Sequence, residues 1–364
     1  MKKTLILAVL LLLPSLSAHA EIKIGLVAPF TGPIALGGEQ IRRGAEQAVE
    51  DINAKGGING EKISLYLGDD ACDPKQGVSV ANKLASAGIK YASGFYCSGS
   101  SIPASKVYME EGILIVTDGA SNPKLTDEAK DTVFRVYGRD DHQGVFVGKY
   151  LLKTYPGKKI AFIHDKSAWG LGLLEEIRKN YNAGGGKEVI FDSYSPGEKD
   201  YSALVSKLKQ LNAEVLYLAG FPPEAALIVR QLRENGAKLQ VIGGDALTTD
   251  QFWSVAGSTG EGTLMSYTAD PRNYPGTKPV VAALQKKNFE AAGVTLYAYA
   301  AMQVTAEAIR RGGDNPLKAA AALREKPIDT ILGPVEFDAK GDMANIKYAM
   351  YRWHDGKYAQ IEGQ

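Results

Sequence analysis

The chain has 364 residues, with 42 Lys and Arg against 41 Asp and Glu. This near balance leaves no basic stripe of the kind nucleic acid requires. The length exceeds what one hydrophobic core serves, so two domains are expected.

Residues 1–20 come first. Lys2 and Lys3 precede a mostly apolar run from Thr4 to Leu13, Pro14 breaks it, and Ala18-His19-Ala20 supplies a small-x-small pattern before Glu21. This reads as a secretory signal peptide cleaved after Ala20. The run is too short to span a bilayer, where about 20 residues are needed. No cysteine follows the cleavage site, which argues against a lipid anchor. The mature protein is expected to be exported and soluble. Its two cysteines, Cys72 and Cys97, form an even pair and are expected to be joined in an oxidising compartment. A catalytic thiol, the competing reading, has no histidine near it in sequence.

A short apolar strand is predicted over 21–28, followed by a loop over 29–33. Apolar residues Ile41, Ala45, Ala48, Val49 and Ile52 recur near helical spacing and predict a helix over 38–54. Gly56 and Gly57 close it. Strands over 62–67, 89–94, 113–117 and 133–137 alternate with helices over 75–87 and 102–110. A second run of the same kind has strands over 158–164, 187–191, 214–219, 239–243 and 262–267. Its helices are predicted over 142–155, 169–183, 201–211, 223–235 and 248–255. Such alternation is the signature of parallel sheets covered by helices, so the fold class is α/β with two Rossmann-like halves joined near 139–141. After a proline-bearing loop, helices are predicted over 280–290, 295–311 and 316–325, and strands over 331–337 and 347–353. This tail is too short for a third domain. It is expected to return to the first half and then cross to the second. The expected division is 21–140 with 270–346, against 141–269 with 347–364.

Within the first half, 91–121 reads as strand, turn, helix, strand, turn. Both turns are rich in small and hydroxyl residues: Cys97-Ser98-Gly99-Ser100-Ser101 and Asp118-Gly119-Ala120-Ser121. Turns at the carboxyl ends of parallel strands face the ligand crevice. A helix starting there aims free N–H groups at an anion, and Pro103 fits its first turn. Ser98 and Ser121 can therefore hold one carboxylate, or serve only as caps and turn formers.

Absent motifs narrow the function. There is no GxSxG, no phosphate loop, no HExxH and no GxGxxG after the first strand. His142, His164 and His354 are scattered. A zinc site or a Ser-His pair has little to build on, no cofactor is expected, and His164 is expected to be a turn residue. A two-lobed α/β chain with a crevice and no catalytic set is most simply a binder rather than an enzyme.

Several segments resemble the periplasmic leucine/isoleucine/valine-binding proteins of ABC transporters. They are Gly44-Ala45-Glu46-Gln47-Ala48-Val49, Asp51-Ile52-Asn53, Gly56-Gly57-Ile58, and the run from Asp69 to Gln76. Further matches are Glu111-Gly112-Ile113-Leu114, His164-Asp165-Lys166, Gly197-Glu198-Lys199-Asp200, Gly333-Pro334 and Lys340-Gly341-Asp342. The resemblance implies a type I periplasmic binding fold, with two lobes joined by three crossovers and hinged over a ligand, and a Cys72–Cys97 disulfide. It implies that Ser98 holds the ligand carboxylate. Gly119 and Ser121, on the turn that also carries Ala120, would serve its amino and carboxylate groups. Asp245 would take the ammonium, and Trp169 and Phe221 would form walls. The implied partners are an amino acid and an inner-membrane permease, with the protein a periplasmic monomer.

The sequence departs from that pattern at informative places. Gly37 stands where a tyrosine commonly closes the side-chain pocket, and Tyr96 where leucine is common. Asp118 replaces a usual proline, and Val294 is near a position that is often phenylalanine. Tyr96 and Asp118 are therefore candidate ligand residues too. Branched-chain or broadly aliphatic amino acids are the first expectation. Aromatic, amide or γ-aminobutyrate-like ligands, or a sensor role toward a membrane receptor, are the alternatives.

Overall fold

The computed structural model describes residues 21–129, 131–344 and 346–361, so the expected export signal at 1–20 lies outside the described residues. Strands β1 (Ile22–Ala28), β2 (Ile63–Asp69), β3 (Tyr91–Gly94), β4 (Leu114–Thr117) and β5 (Val133–Arg135) form one parallel sheet in the order β2-β1-β3-β4-β5. Every residue of β3, β4 and β5 is buried. This is the pattern expected of strands covered by helices on both faces. Helices α1 (Ala35–Ala54), α2 (Pro74–Ser86), α3 (Ser98–Glu110) and α4 (Lys124–Glu128) link these strands.

A second sheet holds β6 (Ile160–His164), β7 (Ile190–Ser193), β8 (Val215–Ala219), β9 (Gln240–Gly243) and β10 (Leu264–Thr268), all parallel. It is covered by α5 (Asp140–Thr154), α6 (Ala168–Ala183), α7 (Ser202–Gln210), α8 (Pro222–Glu234) and α9 (Asp250–Ala256). The chain then supplies α10 (Lys278–Lys286), α11 (Thr295–Gly312), α12 (Pro316–Glu325) and a hairpin of β11 (Ile328–Thr330) and β12 (Gly333–Val335). It ends with β13 (Tyr348–His354) and β14 (Lys357–Gln360), added antiparallel to the second sheet in the order β14-β13-β10-β9-β8-β6-β7. The tail thus returns to the first sheet, where α11 packs on α1, β3 and β4, before crossing to the second. The chain passes between the sheets after β5, after β10 and before β13.

Two predicted elements need correction, and α4, like β14, was not predicted. The helix expected from residue 102 starts at Ser98, so Pro103 sits inside it. The reason is local: the Ser100 N–H and both the N–H and the hydroxyl of Ser101 donate to the Cys97 carbonyl and close the first turn early. Pro103 then forfeits the helical bond to the Gly99 carbonyl. The strand expected over 331–337 is instead a hairpin turning at Ile331 and Leu332, two apolar residues that gave no turn signal.

Cys72 and Cys97 are joined, with Cα atoms 5.4 Å apart, tying the turn after β2 to the turn after β3. Between them the buried Asp70 carboxylate accepts from the Ser100 hydroxyl at 2.7 Å and the Cys72 N–H at 3.0 Å. His164 accepts the Lys166 N–H at 3.0 Å, as a turn histidine does.

Helix α11 is buried on nearly every face, and α1 approaches it at Gly44. A Cβ at Gly44 would overlap the Thr295 carbonyl oxygen. Helix propensity favours Ala over Gly by about 1 kcal/mol, but overpacking against fixed backbone costs about 1–3 kcal/mol or more. Gly44→Ala should therefore lower the unfolding midpoint in chemical denaturation. A midpoint at or above wild type would show that the α1–α11 contact can relax.

Candidate functional site

The sequence places hydroxyl-rich turns at the ends of β3 and β4, and the structure brings these turns together. Ser98 opens α3 and is buried, and its Oγ accepts the Asn122 N–H at 3.2 Å. Its hydroxyl proton is therefore left to donate. The Ser121 hydroxyl is buried beside the Asp140 carboxylate, with no hydrogen bond of good geometry to it. The first N–H groups of α3 have no earlier carbonyl within the helix to bond. Together these are donors for one carboxylate.

The second turn is held by Arg135, at the end of β5. Its fully buried guanidinium donates to the carbonyls of Ala120 (2.8 Å) and Asn122 (3.1 Å) and pairs with Asp342 at 2.7 Å. Arg139, on the first crossing between the sheets, pairs with the same Asp342 at 2.5 Å and with Asp141 at 3.0 Å. Thr126 accepts from both guanidinium groups and donates to Asp342. The Tyr348 hydroxyl donates to the Arg139 carbonyl, tying the first crossing to the third.

Between the sheets lies a small cavity of about 20 Å³, room for on the order of one water. It is lined by Tyr96, Gly119, Tyr137 and Val294 from one side and Trp169, Phe221, Asp245 and Ala246 from the other. The rings of Trp169 and Phe221 lie 5.0 Å apart, and Phe221 and Tyr96 are 6.3 Å apart. Asp245 begins a short 3-10 turn after β9. Its side chain caps nothing. One oxygen accepts the Tyr137 hydroxyl at 2.7 Å, and the other the Gln143 amide at 3.4 Å. Burial raises its pKa, and these hydrogen bonds oppose the rise only in part.

Five of the residues named from sequence thus line one cavity: Tyr96, Gly119, Trp169, Phe221 and Asp245. Ser98, Ala120 and Ser121 are buried behind it rather than on its wall. Asp118 is also off the wall. It is fully buried, neither carboxylate oxygen has a partner, and desolvation pushes its pKa well above the usual range. Asp140, at the first turn of α5, is likewise fully buried, and burial and then the nearby Asp245 raise it. Tyr137 and Arg135 were missed in the sequence. The segments around Arg139 and Asp342 were noticed there, but no role was read from them. Among the described residues the one group of metal-capable side chains is Glu261, His354 and Asp355, all exposed and paired with one another.

Two parallel-sheet halves enclosing a carboxylate on one side and carboxylate donors on the other define a two-lobed binding protein for small solutes. The sequence matches the family described as periplasmic binding protein over residues 21–357, and the chain belongs to that family. It is 46% identical to the Leu/Ile/Val-binding protein homolog 1 of Brucella suis, over 95% of each chain. It is 46% identical to an amino acid binding protein of Pseudomonas aeruginosa, covering 95% of this chain and 94% of the other. The crystal structure of a leucine binding protein from Thermotoga maritima superposes with a TM-score of 0.86 at 24% identity, covering 93% of this chain and 97% of that one.

Two outcomes follow from the buried charges. Asp118 has a raised native pKa, so the native state binds more protons than the unfolded one, and stability falls as pH rises through that window. Asp118→Asn should stabilise the ligand-free protein at neutral pH by about 1–3 kcal/mol and flatten this dependence above the ordinary carboxylate range. An unchanged denaturation profile would mean that the carboxylate finds a partner in solution. Arg135→Met leaves Asp342 buried beside a neutral side chain and should cost about 3–5 kcal/mol in the same assay. A loss under about 1 kcal/mol would show that Arg139 and Thr126 suffice for Asp342.

Proposed function

We propose that this chain is the solute-binding subunit of an ABC transporter, a carrier rather than an enzyme, working in the periplasm after loss of residues 1–20. It captures an α-amino acid between residues 21–140 with 270–346 and residues 141–269 with 347–364, and hands it to a membrane permease. Branched-chain or broadly aliphatic amino acids are the ligand class, in keeping with the names of the relatives. The observation that carries the reading is the buried Asp245 carboxylate on the cavity wall, across from the serine-rich turns.

The physical argument is one of charge. An empty, closed site buries Asp245 near Asp140, with no cation on the cavity side. Burying such groups unpaired is costly. A ligand ammonium at Asp245 relieves that cost, while Ser98, Ser121 and the start of α3 take the ligand carboxylate. Charge-assisted bonds of this kind are roughly twice as strong as neutral ones. Direct bonds across the cleft include Tyr137 to the Asp245 carboxylate at 2.7 Å, Asn122 to the Ala168 carbonyl at 2.9 Å and Gln251 to the Pro33 carbonyl at 3.1 Å. A ligand that touches both sides shifts the population toward closure, and one that touches a single side does not.

The test is a thermal-shift and calorimetric screen of mature, ligand-free protein against the common amino acids. At a thousandfold excess over Kd, a true ligand stabilises by about 4 kcal/mol. A flat screen would remove the amino-acid reading. Asp245→Ala should weaken binding by about 2–5 kcal/mol, and Ser98→Ala by about 1.5–3 kcal/mol. Because burial lifts the Asp245 pKa, affinity should decline as pH is lowered from neutral, before an ordinary carboxylate near about 4 protonates. Affinity constant down to pH 4 would take Asp245 out of the site.

A further inference from the structure

Two of the departures noted in the sequence, Gly37 and Tyr96, prove to be one feature. Gly37 lies in the first turn of α1 and Tyr96 follows β3, yet a Cβ at Gly37 would sit 2.7 Å from Tyr96 Cζ and 2.9–3.0 Å from both Cε atoms. The hydroxyl end of the ring rests directly on the Gly37 backbone. Its base rests on Gly119, where a Cβ would be 3.2 Å from both Cα and Cδ2 of Tyr96. Phe221 stands on a further side, with ring centres 6.3 Å apart. The ring is buried, and it lines the cavity.

We propose that Gly37 and Tyr96 form a matched pair that sets side-chain selectivity, closing the far end of the cavity so that it takes compact aliphatic amino acids in preference to leucine. This rests on the amino-acid reading above. The ring reaches across because Gly37 offers no side chain, and Gly119 lets its base seat closely. With the ligand's ammonium at Asp245, its side chain must point among Tyr96, Phe221, Trp169 and Val294. Seating any amino acid requires the walls of this water-sized cavity to part, and Tyr96, backed by Gly37 and Gly119, has the least room to give. Any side chain added at Gly37 pushes the ring toward the ligand, since Gly119 and Phe221 block the other directions. Removing the ring does the reverse and lengthens the pocket. One methylene in an apolar pocket discriminates about 10–200-fold, enough for this wall to decide between alanine and leucine.

The experiment is a double-mutant cycle read by calorimetry with alanine, valine, leucine and phenylalanine as the probes. Wild type should prefer alanine or valine to leucine by at least about tenfold. Tyr96→Leu should reverse that preference. Gly37→Ala alone should weaken alanine and valine by about tenfold or more, and adding Tyr96→Leu should restore binding, now with leucine preferred. Ligand-free thermal unfolding of each variant separates a folding defect from a binding one. Additive effects in the cycle, or a wild type that takes leucine as well as alanine, would overturn the pairing while leaving the amino-acid reading intact. No binding of any amino acid by folded wild type would overturn both.

Discussion

The site depends on one buried guanidinium. Arg135 reaches the turn after β4 through the Ala120 and Asn122 carbonyls and reaches the end of the chain through Asp342. A buried cation is tolerable only when its donors are satisfied, and here three different elements satisfy it. Asp342 is in turn shared with Arg139 on the first crossing. The turn that bears Gly119, Ala120 and Ser121 is thereby fixed to the strands that join the two sheets. The proposed ligand turn and the first crossing between the sheets are held by the same ion cluster.

Other buried carboxylates are less well matched. Arg135 and Arg139 neutralise Asp342, but Asp118 has no hydrogen-bond partner, and Asp140 has only the Ser121 hydroxyl and the field of Arg135 to oppose its burial. Asp245 has only two neutral donors, Tyr137 and Gln143. The interior around the cavity is therefore short of positive charge. In the proposed function a ligand ammonium complements Asp245, and closure around it would convert an unfavourable burial into a paired one. Hydrogen bonds such as Tyr137 to Asp245 and Asn122 to the Ala168 carbonyl already cross the cleft, and in the proposed function a ligand that touches both sides adds to them. That is the property a carrier needs, because it must bind tightly in one compartment and release to a permease that pulls the lobes apart.

Much of the fold was legible in the sequence because parallel strands buried on both faces, such as Leu114–Thr117, leave apolar runs that helices punctuate. The early start of α3 was not, since it turns on backbone N–H groups and the Ser101 hydroxyl folding back onto Cys97. The hairpin at Ile331 and Leu332 was hidden because neither residue is a turn former. The hydroxyl turns were readable locally as anion donors, whereas Asp245 and the aromatic walls were reached through family resemblance. Arg135 and Tyr137 escaped because their partners lie 207 and 108 residues away, and nothing near them in sequence marks the pairing. Gly37 and Tyr96 were each visible as oddities, and only the three-dimensional contact shows that one accommodates the other.

The most direct test of the account is a crystal structure of the mature protein with an amino acid that the binding screen selects. The account predicts the ligand ammonium within hydrogen-bond distance of Asp245, its carboxylate on Ser98, Ser121 and the start of α3, and its side chain against Tyr96. A ligand seated on one sheet alone, or one whose ammonium faces away from Asp245, would contradict it.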